Sequence, residues 1–490
     1  MTGDNEWPDD DVVGHALRSS TTASEAAVVL ESAGVNDDAV RSDHGDTGVF
    51  AFVDRQFDGI GPWGPYGPAA WVEPERREST VDALPGTVRT RWFWLRGLLY
   101  AIPAVVAFTL LPAADYVESG LLLGALLLSW AGGYGMTYLA WGYIGSHDLP
   151  AAHRFLRLSI LVGTGIAVVV AVLVVYASLI VTVTVRVSLW TVLLLVGQTV
   201  YLLSAATILM AGRELRLLVA LLPAVAGAGY YTLIGGAASP AATSSASTPA
   251  HGPESLFLAA TVVLTALFAF DATRDARRPT NQLVAGSVLS ALLHSAYGLL
   301  VGLLVLFPAL NELLNDNFES LPLTVTIAAL PLVVSMGVAE ILLYEHRRRV
   351  VGMLRATGSV ERFLRESRRE YLELAARFIA ALVLMTVAVG GLGAAIFGIT
   401  DVRYLWLSGA YAFLGTAIFA AMILNSLGRI RLVLVVLAAG VLVMMVFSAG
   451  TDHTVSDVVA IACLTVVAAS AAVVLGVAAY RAVCEVANHR

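Results

Sequence analysis

From Arg96 onward the chain is a succession of apolar stretches separated by short segments that hold most of the charge. Each stretch approaches or exceeds the roughly 20 residues a helix needs to cross a bilayer core. That pattern excludes most soluble folds. Hydrophobic residues make up 58% of the 490-residue chain and charged ones only 14%, against about a quarter charged in a soluble domain. The mean hydropathy is +0.77. The pattern predicts an all-α, polytopic membrane protein with about twelve transmembrane helices. The first six expected spans are roughly 97–114, 121–144, 158–182, 188–210, 217–236 and 255–270. The second six are roughly 283–308, 322–343, 376–398, 404–426, 432–449 and 457–479.

The connecting segments test that count. Arginine near a span stays on the cytoplasmic side, and all 30 basic residues are Arg. Arg89, Arg91 and Arg96 precede the first span. His153, Arg154 and Arg157 follow the second, Arg213 and Arg216 the fourth, and Arg274, Arg277 and Arg278 the sixth. Arg429 and Arg431 follow the tenth, and Arg481 and Arg490 the last. The alternate segments carry Asp115, Glu118, Glu312, Asp316, Glu319 and Asp452, with Arg186 and Arg403 as the basic exceptions. This alternation places both termini in the cytoplasm of a multi-pass plasma-membrane protein.

The richest basic segment, 345–374, follows the eighth span. It holds Arg347, Arg348, Arg349, Arg355, Arg362, Arg365, Arg368 and Arg369. Its second half has the makings of a helix. Ser359 can cap it, Glu361 sits in the first turn, and Val360, Phe363, Leu364, Tyr371 and Leu374 fall roughly on one face. One reading is an amphipathic helix lying on anionic inner-leaflet lipids. The other is a topology anchor with no further role.

Ahead of the membrane region, residues 1–58 form a small acidic cytoplasmic region. One reading puts a helix over 24–32 and another turn from Asn36, with 48–57 adding apolar positions; the other is a largely disordered tail. Residues 59–90 are a Gly/Pro-containing linker. Residues 91–281 and 282–490 then divide the spans into two halves of six helices. An echo supports that division: GRELRLLV at 212–219 follows the fourth span, and GRIRLVLV at 428–435 follows the tenth. A repeat of six spans preserves orientation, so the halves would be related about the membrane normal.

Polar groups within hydrocarbon are costly and mark sites worth naming. His294 lies mid-span in the seventh helix beside Tyr297, and Glu340 lies towards the inner end of the eighth. Gln198 marks the fourth span, and Arg186 lies at the outer end of that span. These five are the substrate-binding or coupling candidates. His294 and Glu340 could act as a proton-coupling or substrate-contacting pair. Alternatively His294 is neutral and hydrogen-bonded across helices, and Glu340 reaches the Arg347–Arg349 cluster. Pro103, Pro223 and Pro331, with Gly132, Gly133, Gly390 and Gly391, would break helices at several depths. No Walker loop, dinucleotide Gly loop or HExxH motif is present. The two cysteines, Cys463 and Cys484, have no metal-ligand spacing. We therefore expect no enzyme, no catalytic residues, no cofactor, no metal and no nucleic-acid partner.

Twelve spans in two halves with both ends inside resemble the multidrug/oligosaccharidyl-lipid/polysaccharide flippase superfamily and also the major facilitator superfamily. Facilitators carry a G-x-x-x-D-R-x-G-R-R-like loop after span two and a long central loop. Here those places hold GSHDLPAAHRFLR (145–157) and the short DATRDARRPTNQ (271–282). A long basic segment after span eight, mirrored by a shorter one after span two, looks like the flippase arrangement. The passage into span nine is similar to polysaccharide exporters of the Pel exopolysaccharide membrane-subunit type. The resemblance implies alternating access around a cavity between the halves, moving a polysaccharide or lipid-linked glycan outward. Sugar flippases line that cavity with several basic residues, whereas Arg186 and His294 are the candidates here, which argues against a strongly anionic substrate. The other reading is a non-transporting membrane scaffold of a cell-envelope or secretion assembly, with envelope-assembly proteins as partners.

Overall fold

The computed structural model describes residues 27, 30, 35, 37–44, 46–59, 95–100, 102–103, 116–145, 148–181, 189–230, 254–276, 285–314, 323–356, 360–397, 402–450 and 457–483. The chain divides into two units, 1–89 and 90–490.

In the first unit, helices Asp37–His44 and Val49–Gly59 pack together. The Asp37 carboxylate accepts a 2.8 Å bond from the Val49 amide, satisfying one of the donors that a helix start leaves unpaired. Ala27, Leu30, Val35, Val40, Val49, Phe52 and Val53 are buried. The expected linker from residue 60 lies outside the described residues.

The second unit is an all-α membrane bundle. Residues 95–100 and 102–103 are helical and belong to the first expected span, α1. Then follow α2 (Tyr116–Gly145), α3 (Leu149–Val181), α4 (Leu189–Met210), α5 (Glu214–Tyr230) and α6 (Glu254–Ala272). The second half comprises α7 (Ala285–Leu314), α8 (Leu323–Ala356), α9 (Val360–Phe397), α10 (Val402–Ser426), α11 (Ile430–Gly450) and α12 (Asp457–Val483). Among the described residues, nine helices are long and apolar enough to cross a membrane: α2, α3, α4 and α7 to α12. The apolar part of α6 is shorter, and the described part of α5 is a 17-residue helix. Many large apolar side chains face outward, Leu173, Leu384, Val435 and Val466 among them, as contact with acyl chains requires.

Each half has its own buried core. One cluster draws on Leu99 to Ala269 and the other on Tyr297 to Val483. The helix pairings of the first half recur six numbers later. Helix α2 packs on α3 and α4, α4 packs on α3, α5 and α6, and α5 packs on α6. In the second half, α8 packs on α9 and α10, α10 packs on α9, α11 and α12, and α11 packs on α12.

The sequence echo has the same geometry in both copies. Gly212 (φ 67°) and Gly428 (φ 74°) adopt the left-handed conformation that side chains disfavour. The Gly212 amide donates to Leu209 O (3.1 Å) and the Arg213 amide to Ile208 O (3.1 Å). The Gly428 amide donates to Asn425 O (3.1 Å) and the Arg429 amide to Leu424 O (2.9 Å). Both are Schellman turns, which satisfy the last carbonyls of one helix and redirect the chain into the next.

The arginine-rich segment departs from expectation. Spans eight and nine were expected to end at residue 343 and begin at residue 376, with a separate surface helix between them. Instead α8 runs to Ala356 and α9 begins at Val360 and continues unbroken to Phe397. Hydropathy marks where lipid contact ends, but a helix continues as long as its turns are supported. Glu345–Arg349 and Glu373–Arg377 pairs one turn apart, and a 2.9 Å Arg349–Glu370 bridge between the two extensions, supply that support. The apolar face of the α9 extension meets protein. Phe363, Tyr371 and Leu374 are buried. The Tyr371 hydroxyl donates to Gly476 O (2.9 Å) and Ser367 to Val483 O (3.1 Å), both on α12. Helices also run through Pro223 and Pro331 without ending there, and α7 does the same at Pro308.

Candidate functional site

The halves meet where α2 packs on α7 and where α1 approaches α8. Small residues set both contacts. A Cβ on Gly298 would lie 2.6 Å from the Tyr134 ring, and one on Gly302 would lie 2.8 Å from Leu127. A Cβ on Gly97 would lie 2.6 Å from the carbonyl oxygen of Val334, so α1 and α8 touch backbone to backbone.

One turn of helix determines what sits beside that contact. Arg96 lies on α1, and its guanidinium meets two carboxylates. Nε and Nη2 donate to Glu214 Oε1 at 2.8 and 2.6 Å, and Nη2 also reaches Leu209 O at 3.2 Å. Nη1 donates to Glu340 Oε2 at 3.0 Å. The other oxygen of Glu340 accepts from the Tyr100 hydroxyl at 3.1 Å. Side-chain exposures of 23% for Arg96, 9% for Glu214 and 26% for Glu340 place the cluster below the surface but within reach of water. One guanidinium thus bridges two carboxylates, one from each half.

Further along the α2–α7 contact is an aromatic ladder. Tyr138 stacks on His294 with centroids 4.1 Å apart and planes at 20°, and Tyr134 meets Tyr297 edge to face at 5.3 Å. His294 Nδ1 lies 2.7 Å from Ser290 O one turn back, an arrangement that directs Nε2 away from its own helix. The Tyr297 hydroxyl is buried with no hydrogen-bond partner among the described residues. Between α2 and α4, Ser129 and Thr199 share a 3.1 Å hydrogen bond.

No known protein family's sequence pattern matches the chain, and no curated protein matches it by sequence. Solved MATE transporters are similar to it in overall structure. One, in complex with MaL6, is 13% identical with a TM-score of 0.48, covering 81% of this chain and 95% of that one. A Vibrio cholerae MATE transporter gives 13% identity and 0.47, again over 81% and 95%. An inward-facing multidrug-resistance MATE transporter of the MOP superfamily gives 14% and 0.43 over 79% and 94%. This chain is a multi-pass membrane protein. At such identities and scores no residue role is carried across from these neighbours.

The expected site residues are dispersed. Glu340 is in an ion pair with Arg96, on a helix of the opposite half. No ion pair joins it to His294, whose ring stacks on Tyr138. Tyr297 is at the α2–α7 contact as part of the ladder. Gln198 is half-buried on α4, and Arg186 lies outside the described residues. Arg348, Arg365, Arg368 and Arg369 are exposed, and Arg349 pairs with Glu345 and Glu370. Arg347, Arg355 and Arg362 lie in α8 or α9, their side chains outside the described set. Among the described residues no three His, Cys, Asp or Glu side chains gather as metal ligands.

Sequence reasoning took Arg96 as a topology marker and passed over Glu214, Tyr100, Tyr134 and Tyr138. One signal pointed to Glu214. It is the acid in the first copy of the echo, where the second copy has Ile430.

Proposed function

We propose that this chain is a flippase-like transporter that works by alternating access and moves a polysaccharide or lipid-linked glycan outward across the plasma membrane. The observation that carries the reading is the pairing of helices six numbers apart in two halves, each with its own core. Two such units can rock about a shared contact. The aromatic ladder along that contact supports it, because rings with one polar edge are suited to sugar faces and hydroxyls. Both termini face the cytoplasm in this reading, following the arginine distribution. Arg348, Arg365, Arg368 and Arg369 on the projecting α8–α9 hairpin then meet anionic inner-leaflet phosphates.

The test is deletion in the native host with surface polysaccharide and membrane-retained lipid-linked glycans assayed together. Intermediates accumulating on the cytoplasmic side, rescued by the intact gene, are expected. Unchanged glycans remove this substrate class. His294→Ala is expected to lower transport several-fold at unchanged membrane abundance, and unchanged transport would take His294 out of the site. The scaffold reading draws on the same hairpin, whose α9 arm is held to α12 and so presents a fixed basic surface. Envelope proteins retained by the wild type and lost on neutralising those arginines, with transport absent, would favour it.

A further inference from the structure

We propose that Arg96 and Glu340 form a latch that holds the two halves together at their arginine-rich end, with Glu214 anchoring the arginine to its own half. This rests on the alternating-access reading and adds the contact that must break when that end opens.

The hydrogen bonds sort by half. Arg96 gives Glu214 two short bonds and Leu209 O a third, and all of these partners belong to α4 and α5 of the first half. Its Nη1 bond, at 3.0 Å, crosses to Glu340 in the second half. Glu340 is the reverse case. Both of its oxygens take their bonds from α1, from Arg96 and Tyr100, so parting the halves removes both together. Arg96 would keep Glu214 and Leu209 O and would not become an unpaired buried charge. Glu340 is already a quarter exposed and would be hydrated by the opening vestibule. The contact beneath the latch is smooth. A Cβ on Gly97 would lie 2.6 Å from the Val334 carbonyl oxygen and 3.6 Å from the Gly337 Cα, so at this point the two helices meet through backbone and glycine. A separable charged bond over a glycine-lined contact closes firmly and still releases.

The experiment measures distance between the halves, independent of any substrate. Spin labels are placed at Arg154→Cys on α3 and Arg365→Cys on α9, both exposed, with Cys463 and Cys484 replaced by Ser. Distance distributions are recorded by double electron–electron resonance in lipid nanodiscs. Glu340→Gln should raise the ratio of separated to closed molecules on the order of tenfold, as expected for losing a charge-assisted bond. Tyr100→Phe should shift it the same way by less, which keeps the test available if Glu340→Gln does not fold. Glu214→Gln should move the ratio the opposite way, because the guanidinium then loses its charged anchor in the first half and keeps Glu340 across the contact. Equal responses to the two glutamate substitutions, or none, would overturn the latch. Opposite responses with no transport of any glycan in proteoliposomes would leave the latch standing and remove the transport reading.

Discussion

Replacing Gly97 by Ala adds one methyl group at the closest approach of α1 and α8. The new carbon would lie 2.6 Å from the Val334 carbonyl oxygen, where ordinary contact begins at 3.4 Å. The opposing atom is helix backbone and cannot swing aside as a side-chain tip would. The helices must separate by most of that shortfall, or α1 must roll. Overpacking of this kind costs about 1–3 kcal/mol. Arg96 is the preceding residue, so the same displacement lengthens its 3.0 Å bond to Glu340. The assay is thermal unfolding in detergent followed by size exclusion, with Gly132→Ala as the control. Gly132 has nothing within 4 Å of its built Cβ, and Ala there should be neutral or stabilising by up to about 1 kcal/mol through helix propensity. Gly97→Ala should lower the midpoint by several degrees, and combining it with Glu340→Gln should cost less than the two costs added. An unchanged midpoint, or strict additivity, would refute the backbone-contact argument.

Gly212→Ala and Gly428→Ala should each destabilise by about 1–2 kcal/mol, since both force a side chain into the left-handed region. The two costs should be similar because the turns share one hydrogen-bond pattern, and thermal midpoints of the single variants check this. Tyr371→Phe removes the bond to Gly476 O and should cost about 1 kcal/mol. Faster amide exchange in the α9 extension and the end of α12, with the rest of the bundle unchanged, is the expected signature.

The all-α, polytopic character was legible because hydrophobic length is a response to the bilayer, which every span meets independently of its neighbours. The echo at 212–219 and 428–435 was readable for a local reason: a glycine that must adopt positive φ is fixed by its own turn. In 345–374 the helix start at Val360 and its apolar face were legible, but the cover of that face and the helix's continuation into span nine were not. Hydropathy falls where lipid contact ends, and nothing in the linear pattern shows that Phe363, Tyr371 and Leu374 have α12 rather than lipid to cover them. Glu340 is the sharpest case. Its ion pair with Arg96 joins residues 244 apart along the chain, so proximity in sequence could not reveal it. The all-α, polytopic membrane architecture follows from how each segment partitions between water and lipid, a property of the segment alone. Which carboxylate holds Arg96, which tyrosine stacks on His294 and where the halves touch depend on how twelve helices pack, and only the assembled bundle decides them.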